Sequence, residues 1–283
     1  MKSYLNVGCG AKFHKDWTNV DMVSSSPHVI RHNLLKGFPF SDNIFDAVYH
    51  SQVLEHFPKE EAFKFIKECH RVLKKNGVIR IVVPDLENIV VEYKKYLDEN
   101  LNNPSRYSEA NYDWILLEMY DQTVRNFTGG QMGKILKQKN LVNEHYLVTR
   151  GMTSGNRRDT QSLYSKTMVM FKDFKNASEM VIILTKVLGY TKRKIVKLKR
   201  RTFNFLLGEK YRIGDFRLSG EVHQWMYDRF SLSRLLSNAG FEDIKVKNSY
   251  ESEIPDWELF ELDVKDGRAY APSGLFIEAK KSS

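Results

Sequence analysis

Leu5-Asn6-Val7-Gly8-Cys9-Gly10 is the stretch that decides the fold, because a short apolar run passes directly into a loop with two glycines. Asn19-Val20-Asp21 follows, so that an acidic residue ends a second short run eleven positions after Gly10. Glycines just past a strand let the backbone turn tightly and approach a ligand without a Cβ in the way. A carboxylate at the end of the neighbouring strand can accept hydrogen bonds from the hydroxyls of a ribose. The stretch therefore indicates a nucleoside-containing cofactor at the carboxyl edge of an open α/β sheet.

Dinucleotides are one class of cofactor that such a loop can bind. That class requires a third glycine three residues after the second, and an acid about 20 residues further on. Here the third position is Phe13, and Asp21 comes too early. A pyrophosphate-binding loop is therefore disfavoured, and a cofactor without a pyrophosphate fits better.

Length and composition limit the class of protein. The 283 residues suffice for one large domain, or for a standard domain with an insertion. No apolar run approaches the roughly 20 residues that cross a bilayer. Met1-Lys2-Ser3-Tyr4 leads directly into the first predicted strand, so we expect no signal peptide and a cytoplasmic location. The two cysteines, Cys9 and Cys69, predict neither a disulfide framework nor a zinc site.

Predicted strands and helices alternate at both ends of the chain. The strands are residues 4–8, 18–22, 29–34, 45–50, 78–85, 243–249 and 274–280. The helices are 59–75, ended by Asn76-Gly77, and 231–239, capped by Ser231. We expect an α/β fold with a mostly parallel sheet and an antiparallel hairpin at one edge.

The middle of the chain breaks this pattern and predicts three parts. Residues 1–88 and 222–283 form the first and last parts of the sheet domain. Residues 89–221 form a large, mainly helical insertion after the fifth strand, with helical segments at 89–97, 114–122 and 178–188. We expect this insertion to supply the lid and the acceptor pocket.

Two further segments resemble a known family. Phe45-Asp46-Ala47-Val48-Tyr49-His50-Ser51-Gln52-Val53-Leu54-Glu55-His56-Phe57 is similar to the fourth-strand motif of class I S-adenosylmethionine (AdoMet) methyltransferases. Glu68-Cys69-His70-Arg71-Val72-Leu73-Lys74-Lys75-Asn76-Gly77 is similar to the helix and turn that follow it. With the glycine loop and Asp21, four motifs stand in the order of that family. The resemblance implies a Rossmann-like sheet, AdoMet as cofactor, S-adenosylhomocysteine as product, and a methyltransferase of class EC 2.1.1.-.

The resemblance also implies a set of cofactor contacts. Gly8 and Gly10 would approach the methionine part of AdoMet, and Asp21 would bind the ribose hydroxyls. Asn33 stands where the family usually has a carboxylate for the adenine amine; its amide oxygen can accept from that amine without charge. The remaining predicted contacts are Leu34, Ser51 and His56.

The middle of the chain resembles a narrower group. Arg125-Asn126-Phe127-Thr128-Gly129-Gly130-Gln131 and Gly220-Glu221-Val222-His223-Gln224-Trp225-Met226-Tyr227-Asp228 are similar to a predicted methyltransferase subfamily found in bacterial surface-polysaccharide gene clusters. This resemblance implies polysaccharide biosynthesis and a sugar or glycan acceptor.

Methylation of a hydroxyl requires an aligned acceptor and a base, and no metal. The candidate catalytic residues are His223, Asp85 and Glu221, with His56 and His145 as further candidate bases. His223 is favoured because an imidazole of near-neutral pKa suits a general base. Asp85 ends the fifth strand and would face the crevice, although it could equally cap the next helix. Trp225 and Tyr227 are expected either to form a wall for a sugar ring or to lie in the core.

The net charge of +9 includes a basic cluster near residue 200. It follows the apolar stretch 180–184 and consists of Lys192, Arg193, Lys194, Lys197, Lys199, Arg200 and Arg201. Two interpretations stay open: a solvated helix face, or a contact with an anionic lipid surface, glycan or nucleic acid. A lipid contact would place the protein at the inner membrane face and would suit a lipid-linked acceptor.

Two other functions compete with sugar O-methylation. A nucleic-acid methyltransferase is disfavoured, because His50-Ser51-Gln52-Val53 lacks the Asn/Asp-Pro-Pro-aromatic run that amino-methylating enzymes of that class use. A non-catalytic AdoMet-binding partner protein would bind the cofactor without turnover.

Overall fold

The computed structural model describes residues 2–24, 26–152 and 208–282. Contacts divide the chain into two units, one made of Met1–Met152 with Gly220–Ser283 and the other of Thr153–Ser219. In the second unit, residues 208–217 are helical. The strands and the helices α1 to α6 belong to the first unit.

Seven strands form the central sheet in the order β3-β2-β1-β4-β5-β9-β6. The nine strands of the described chain are β1 (Tyr4–Val7), β2 (Thr18–Asp21), β3 (Val29–Arg31), β4 (Phe45–Ser51), β5 (Leu73–Pro84), β6 (Phe241–Lys247), β7 (Val264–Lys265), β8 (Arg268–Ala269) and β9 (Gly274–Lys281). Strands β1 to β5 pair in parallel, whereas β9 runs antiparallel to both β5 and β6. The predicted Rossmann-like class I methyltransferase sheet, with an antiparallel pair at one edge, is confirmed.

Six labelled helices accompany the sheet. They are α1 (Lys59–Val72), α2 (Leu86–Asn102), α3 (Arg106–Val124), α4 (Gly130–Ile135), α5 (Glu144–Thr149) and α6 (Arg229–Asn238). Short 3₁₀ helices cover Leu34–Lys36, Leu54–His56 and Trp257–Phe260. Between β6 and β9, strands β7 and β8 pair with each other as a small hairpin that is separate from the central sheet.

Two predicted helix boundaries were wrong. Helix α1 ends at Val72 rather than near Asn76, because Leu73 already pairs with Phe45 of β4. Asn76, at φ +60°, lies where the pairing with β4 is interrupted before Val78. Helix α6 is capped by Asp228 rather than by Ser231: the Asp228 carboxylate accepts from the Ser231 backbone N–H at 2.7 Å, and the Ser231 hydroxyl accepts from the Asp228 N–H.

Three hydrophobic clusters stabilise this arrangement. The largest lies between the sheet and helices α1 and α6, and includes Leu5, Ile66 and Ile277. The opposite face of the sheet is covered by an aromatic cluster that includes Trp17 and Trp257. A third cluster lies between α2, α3 and α5 and includes Tyr96, Trp114 and Tyr146. Helices α2 to α5 thus have a core of their own beside the sheet.

The predicted insertion, residues 89–221, spans both units of the chain. It includes α3 to α5 and most of α2 in the first unit, as well as the whole second unit. The predicted helix 178–188 and the basic cluster at 192–201 lie outside the described residues. None of the helices in the described ranges combines the length and the apolar character that a membrane span requires. The role of the insertion as a lid stays a prediction.

Candidate active site

The glycine loop follows β1 at the carboxyl edge of the sheet. Gly8 and Gly10 have φ values of +69° and +54°, a region that glycine adopts without strain. The Gly8 N–H donates to the Val20 carbonyl at 2.8 Å, which joins the loop to β2. A Cβ on Gly8 would lie 2.5 Å from Val53 Cγ2, so this position has no room for a side chain. A Cβ on Gly10 would meet no atom of the described residues within 4 Å, so these residues leave space beside the loop there.

Asp21 lies at the end of β2 and faces this loop. One carboxylate oxygen accepts from the Gly10 N–H at 2.9 Å, and the other accepts from the Val23 N–H at 2.9 Å. Each carboxylate oxygen has more than one lone pair, so these two bonds leave acceptor capacity for a ribose hydroxyl. The loop and the acid are therefore held together in the arrangement that nucleoside binding requires.

The predicted adenine side lies just after β3. The Asn33 side chain caps the short helix Leu34–Lys36 and accepts from the Leu35 N–H at 3.0 Å. Its amide oxygen keeps one lone pair for the adenine amine. Leu34 is buried in the main core, so its contact with a cofactor would be made through its backbone.

The fourth strand ends beside the glycine loop. Ser51 is the last residue of β4 and is half-buried. Gln52 has φ +56°, and its N–H donates to the Val82 carbonyl at 2.9 Å. This turn directs the chain into the short helix Leu54–His56 and places Val53 against Gly8.

Residues 222–228 return the chain to the same edge of the sheet. The His223 N–H donates to the Gln122 carbonyl of α3 at 3.0 Å, and the Gln224 N–H donates to the Glu55 carbonyl at 2.7 Å. The Leu86 N–H donates to the Tyr227 carbonyl at 2.8 Å. These bonds bring His223 next to Leu54–His56, although 167 residues separate it from His56 in the sequence.

Glu55, His56 and His223 form a compact group. One nitrogen of each ring and one carboxylate oxygen lie within 4.8 Å of one another. The two imidazole rings meet edge to face, with centroids 4.7 Å apart. Glu55 is 0% exposed and His223 is 7% exposed. Neither Glu55 oxygen, nor His56 Nδ1, has a hydrogen-bond partner within the described part of the chain.

Burial controls the protonation of this group. Desolvation raises the pKa of the Glu55 carboxyl to about 8. Desolvation, with the positive charges of His56 and Arg125, lowers the pKa of His223 to about 3. The pKa of His56 is also lowered by burial, and bonds to the backbone at Val222 and Gly220 oppose that shift. His223 is therefore neutral across the physiological range, and the interpretation that it titrates near pH 7 was wrong.

Glu221 joins the two middle segments that resemble the polysaccharide subfamily. Its carboxylate accepts from the Gly129 N–H at 2.8 Å and pairs with Arg125 at 3.4 Å. Arg125 also pairs with Asp121 at 2.9 Å. These contacts give Glu221 a part in fixing the Arg125 loop, and its action as a base stays a prediction.

The other candidate residues lie in different environments. The Asp85 carboxylate caps α2 by accepting from the Glu87 N–H at 3.0 Å, and burial raises its pKa. Trp225 is 39% exposed with the Lys59 ammonium 3.6 Å above its ring, whereas Tyr227 lies buried in the main core. His145 is exposed on α5.

Glu55 was not predicted from the sequence. The available signal was an acid between Leu54 and His56, in a segment whose other neighbours, Val53 and Phe57, are apolar. If the apolar neighbours of such an acid are buried, we expect the acid to be buried with them. A buried carboxyl group needs a hydrogen-bond or ionic partner.

Comparison with known families locates the methyltransferase part. Residues 5–81 match the family model described as "Methyltransferase domain". The matched stretch contains Gly8, Gly10, Asp21, Ser51 and the other predicted cofactor contacts. The cofactor is therefore S-adenosylmethionine, and the match supports an AdoMet-dependent methyltransferase. The residues at this site fit S-adenosylmethionine: position 8 admits only glycine, and the Asp21 carboxylate accepts from the Gly10 N–H.

Three solved structures show distant likenesses to this chain. The [4+2]-cyclase SpnF is 23% identical over 29% of this chain and 38% of its own, with a TM-score of 0.24. The YcgJ protein of Bacillus subtilis is 18% identical over 35% of this chain and 51% of its own, with a TM-score of 0.26. An AdoMet-dependent methyltransferase of Thermotoga maritima is 10% identical over 100% of this chain and 83% of its own, with a TM-score of 0.38. This chain thus spans about half or less of the first two proteins, and none of these likenesses supports a functional conclusion. No protein of curated function matches the chain.

Proposed function

We propose that this chain is an AdoMet-dependent methyltransferase that O-methylates a sugar or glycan intermediate of polysaccharide biosynthesis. The observation that carries the proposal is the cradle formed by Gly8, Gly10 and Asp21, in which the Gly10 N–H and the Asp21 carboxylate face each other at 2.9 Å. The matched methyltransferase domain supports the same cofactor.

Bound AdoMet supplies an electrophilic methyl group on a sulfonium. Asp21 would then bind the ribose through its remaining lone pairs, while the backbone of the glycine loop approaches the methionine part. The remaining tasks are to orient the acceptor hydroxyl and to remove its proton. Asp85 and His223 are the candidate bases. Burial makes the Asp85 carboxylate a stronger base than an exposed aspartate, and it makes His223 a weaker base than an ordinary histidine.

Support for a glycan acceptor comes from the two middle segments. These segments, which resemble the polysaccharide subfamily, contact each other through Arg125, Gly129 and Glu221. Trp225 presents an exposed ring beside them, which suits stacking on a sugar. A lipid-linked acceptor and a contact with the inner membrane face depend on the basic cluster outside the described residues.

Transfer of a labelled methyl group tests this proposal. The protein is incubated with methyl-labelled AdoMet and four acceptor pools: sugar nucleotides, lipid-linked saccharides, soluble glycans and RNA. We expect label in a carbohydrate pool. Label in RNA alone would support the nucleic-acid alternative, and cofactor binding without any label would support the non-catalytic one.

One matched pair of variants distinguishes the two bases. Asp85→Asn keeps the helix cap, because asparagine caps as well as aspartate, but it removes the base. If Asp85 is the base, turnover falls by about 10²-fold or more while cofactor affinity is unchanged. Asp98→Asn, on the same helix with a side chain that is 49% exposed, is the control. Full turnover by Asp85→Asn would exclude Asp85 as the base.

A further inference from the structure

The Glu55 carboxylate is buried without a partner. It is 0% exposed, and neither oxygen accepts a hydrogen bond from any other residue that the structure describes; the contact that favours its charged form comes from the backbone of Glu55 itself. Buried polar groups almost always have partners, and a buried acid without one is costly. The group that would satisfy this carboxylate is therefore missing from the protein chain described here.

Two imidazoles lie close to this carboxylate. His56 Nδ1 is buried and also has no partner, while the His56 ring bonds to the backbone at Val222 and Gly220. Because Nδ1 makes no bond, those bonds belong to Nε2, which keeps the proton there and leaves the Nδ1 lone pair free. Metal-binding histidines characteristically donate their second N–H to a carbonyl in this way. His223 supplies the third donor within the same 4.8 Å.

We propose that Glu55, His56 and His223 bind a divalent transition-metal ion of the zinc type. Two imidazoles and one carboxylate suit Zn²⁺ and its neighbours, whereas Mg²⁺ and Ca²⁺ prefer oxygen ligands alone. Tetrahedral bonds of about 2.0–2.1 Å place donor atoms roughly 3.4 Å apart. The donors lie within 4.8 Å of one another, so metal binding would require them to approach by at most about 1.4 Å.

The surrounding charges are compatible with a cation. Arg125 is the arginine whose charge acts on both imidazoles, and it is already paired with Asp121 at 2.9 Å and with Glu221 at 3.4 Å. These two carboxylates outnumber the single guanidinium. An ionised Glu55 then adds one more negative charge against the incoming ion.

Three protein ligands leave at least one coordination position open, as in catalytic rather than structural zinc sites. The segment that supplies Glu55 and His56 also supplies Val53, which contacts the glycine loop. If the proposed methyltransferase function holds, this position is available for the acceptor hydroxyl, whose acidity a metal would increase. A metal-bound His223 has no lone pair for a proton, so Asp85 would then be the general base.

Metal titration of the 283-residue chain tests this proposal directly. A tag-free preparation is needed, because a histidine tag binds the same ions. The protein is treated with a chelator, exchanged into metal-free buffer and titrated calorimetrically with Zn²⁺, and in parallel with Co²⁺ while visible absorption is recorded. The variants are Glu55→Gln and His223→Asn, with the exposed His145→Gln as the matched control. Circular dichroism and thermal melts of each protein show whether it is folded.

We expect one equivalent of Zn²⁺ to bind the parent and the His145→Gln control, and about 10²-fold weaker binding by both ligand variants. Co²⁺ should produce the visible bands of a site with fewer than six ligands, and Zn²⁺ should raise the melting temperature of the parent. Parent protein that binds no stoichiometric metal would overturn the proposal, as would equal binding by the folded ligand variants. The two parent measurements decide the matter even if both variants unfold. S-adenosylhomocysteine titrated into the metal-free protein reports on the cofactor site separately, so failure of the metal site and failure of the proposed function are distinguishable.

Discussion

Gly8 and Val53 approach so closely that a Cβ at position 8 would lie 2.5 Å from Val53 Cγ2. Gly8 ends the first strand motif and Val53 follows the fourth strand. The contact therefore couples the shape of the predicted cofactor loop to the segment that contains Glu55 and His56. A side chain at position 8 would displace one or the other.

Gly8→Ala is expected to weaken S-adenosylhomocysteine binding by at least about tenfold. The φ of +69° alone costs an alanine roughly 1–2 kcal/mol, and the contact with Val53 adds to that cost. Adding Val53→Ala should restore part of the affinity, because it removes the nearest methyl groups. Calorimetry on the single and double variants measures both effects; unchanged affinity in Gly8→Ala would mean that the loop does not contact the ligand.

Gly130→Ala is expected to loosen the region around α4. A Cβ there would lie 2.1 Å from an oxygen of Asp121, whose carboxylate accepts from the Gln131 N–H at 2.7 Å. Gly133→Ala on the same helix is the control, since a Cβ at that position would meet nothing within 4 Å. Hydrogen exchange of residues 106–135 should accelerate in Gly130→Ala only. Equal protection in the two variants would contradict this role for Asp121.

The sheet was predictable because its signals are local. Each strand is a short apolar run, and the glycines that follow β1 have no other common explanation than a turn or a close approach. The ends of elements were less predictable where strand pairing overrides the local helical pattern. Leu73 continues the helical pattern of α1 but pairs with Phe45 of β4, so α1 ends early. The cap of α6 is a local signal, Asp228 followed three residues later by Ser231. The prediction named Ser231 as the N-cap, whereas Asp228 occupies that position.

The candidate site was predictable only in part, because its contacts are distant in sequence. The predicted cofactor residues all precede position 57. The neighbouring strands β3, β2, β1 and β4 bring them to the same edge of the sheet. The proximity of Glu55 to His223, and the low pKa of His223, depend on a segment that returns after residue 220. No pattern in the sequence shows how deeply Glu55 and His223 are buried, and the pKa of His223 depends on that burial.

Arg80 is a second feature that only the folded chain reveals. It is 0% exposed on β5, and it pairs with Asp263 at 2.7 Å and with Glu278 at 2.8 Å. Arg80→Met would leave two buried carboxylates without their cation, so we expect a loss of about 3–5 kcal/mol of unfolding free energy near pH 8. Lys245→Met, which removes exposed ion pairs, should change little.

The loss in Arg80→Met should shrink as the pH falls. Burial already raises the pKa of Asp263, and Arg80 opposes that shift. Without Arg80 the native state would bind a proton there more tightly than the unfolded state, which favours the native state at low pH. Urea unfolding at pH 8 and pH 5 measures the change; a deficit that does not depend on pH would contradict it.

His50 provides a test of stability against pH. It is completely buried on β4 beside Phe65, neither ring nitrogen has a partner among the described residues, and burial lowers its pKa to about 3. Below pH 6.5 the unfolded chain binds a proton that the native protein does not, so stability is complete above that pH and falls as the pH decreases towards 3.

Between pH 7 and pH 5 the His50 contribution amounts to about 2 kcal/mol. His50→Leu should therefore lose less unfolding free energy over this range than the parent, by about that amount, while the exposed His145→Gln should follow the parent. Identical pH profiles for the parent and His50→Leu would show that His50 is not buried as described.

Calorimetric titration with S-adenosylhomocysteine tests the central claim most directly. The parent, Asp21→Asn and the exposed control Asp16→Asn are compared, with NAD as the contrasting ligand. We predict that the parent and the control bind the nucleoside ligand and ignore NAD, and that Asp21→Asn loses about 1.5–3 kcal/mol of binding free energy, the range for hydrogen bonds to a charged group. Equal affinity in the parent and Asp21→Asn, or binding of NAD in place of S-adenosylhomocysteine, would contradict the account.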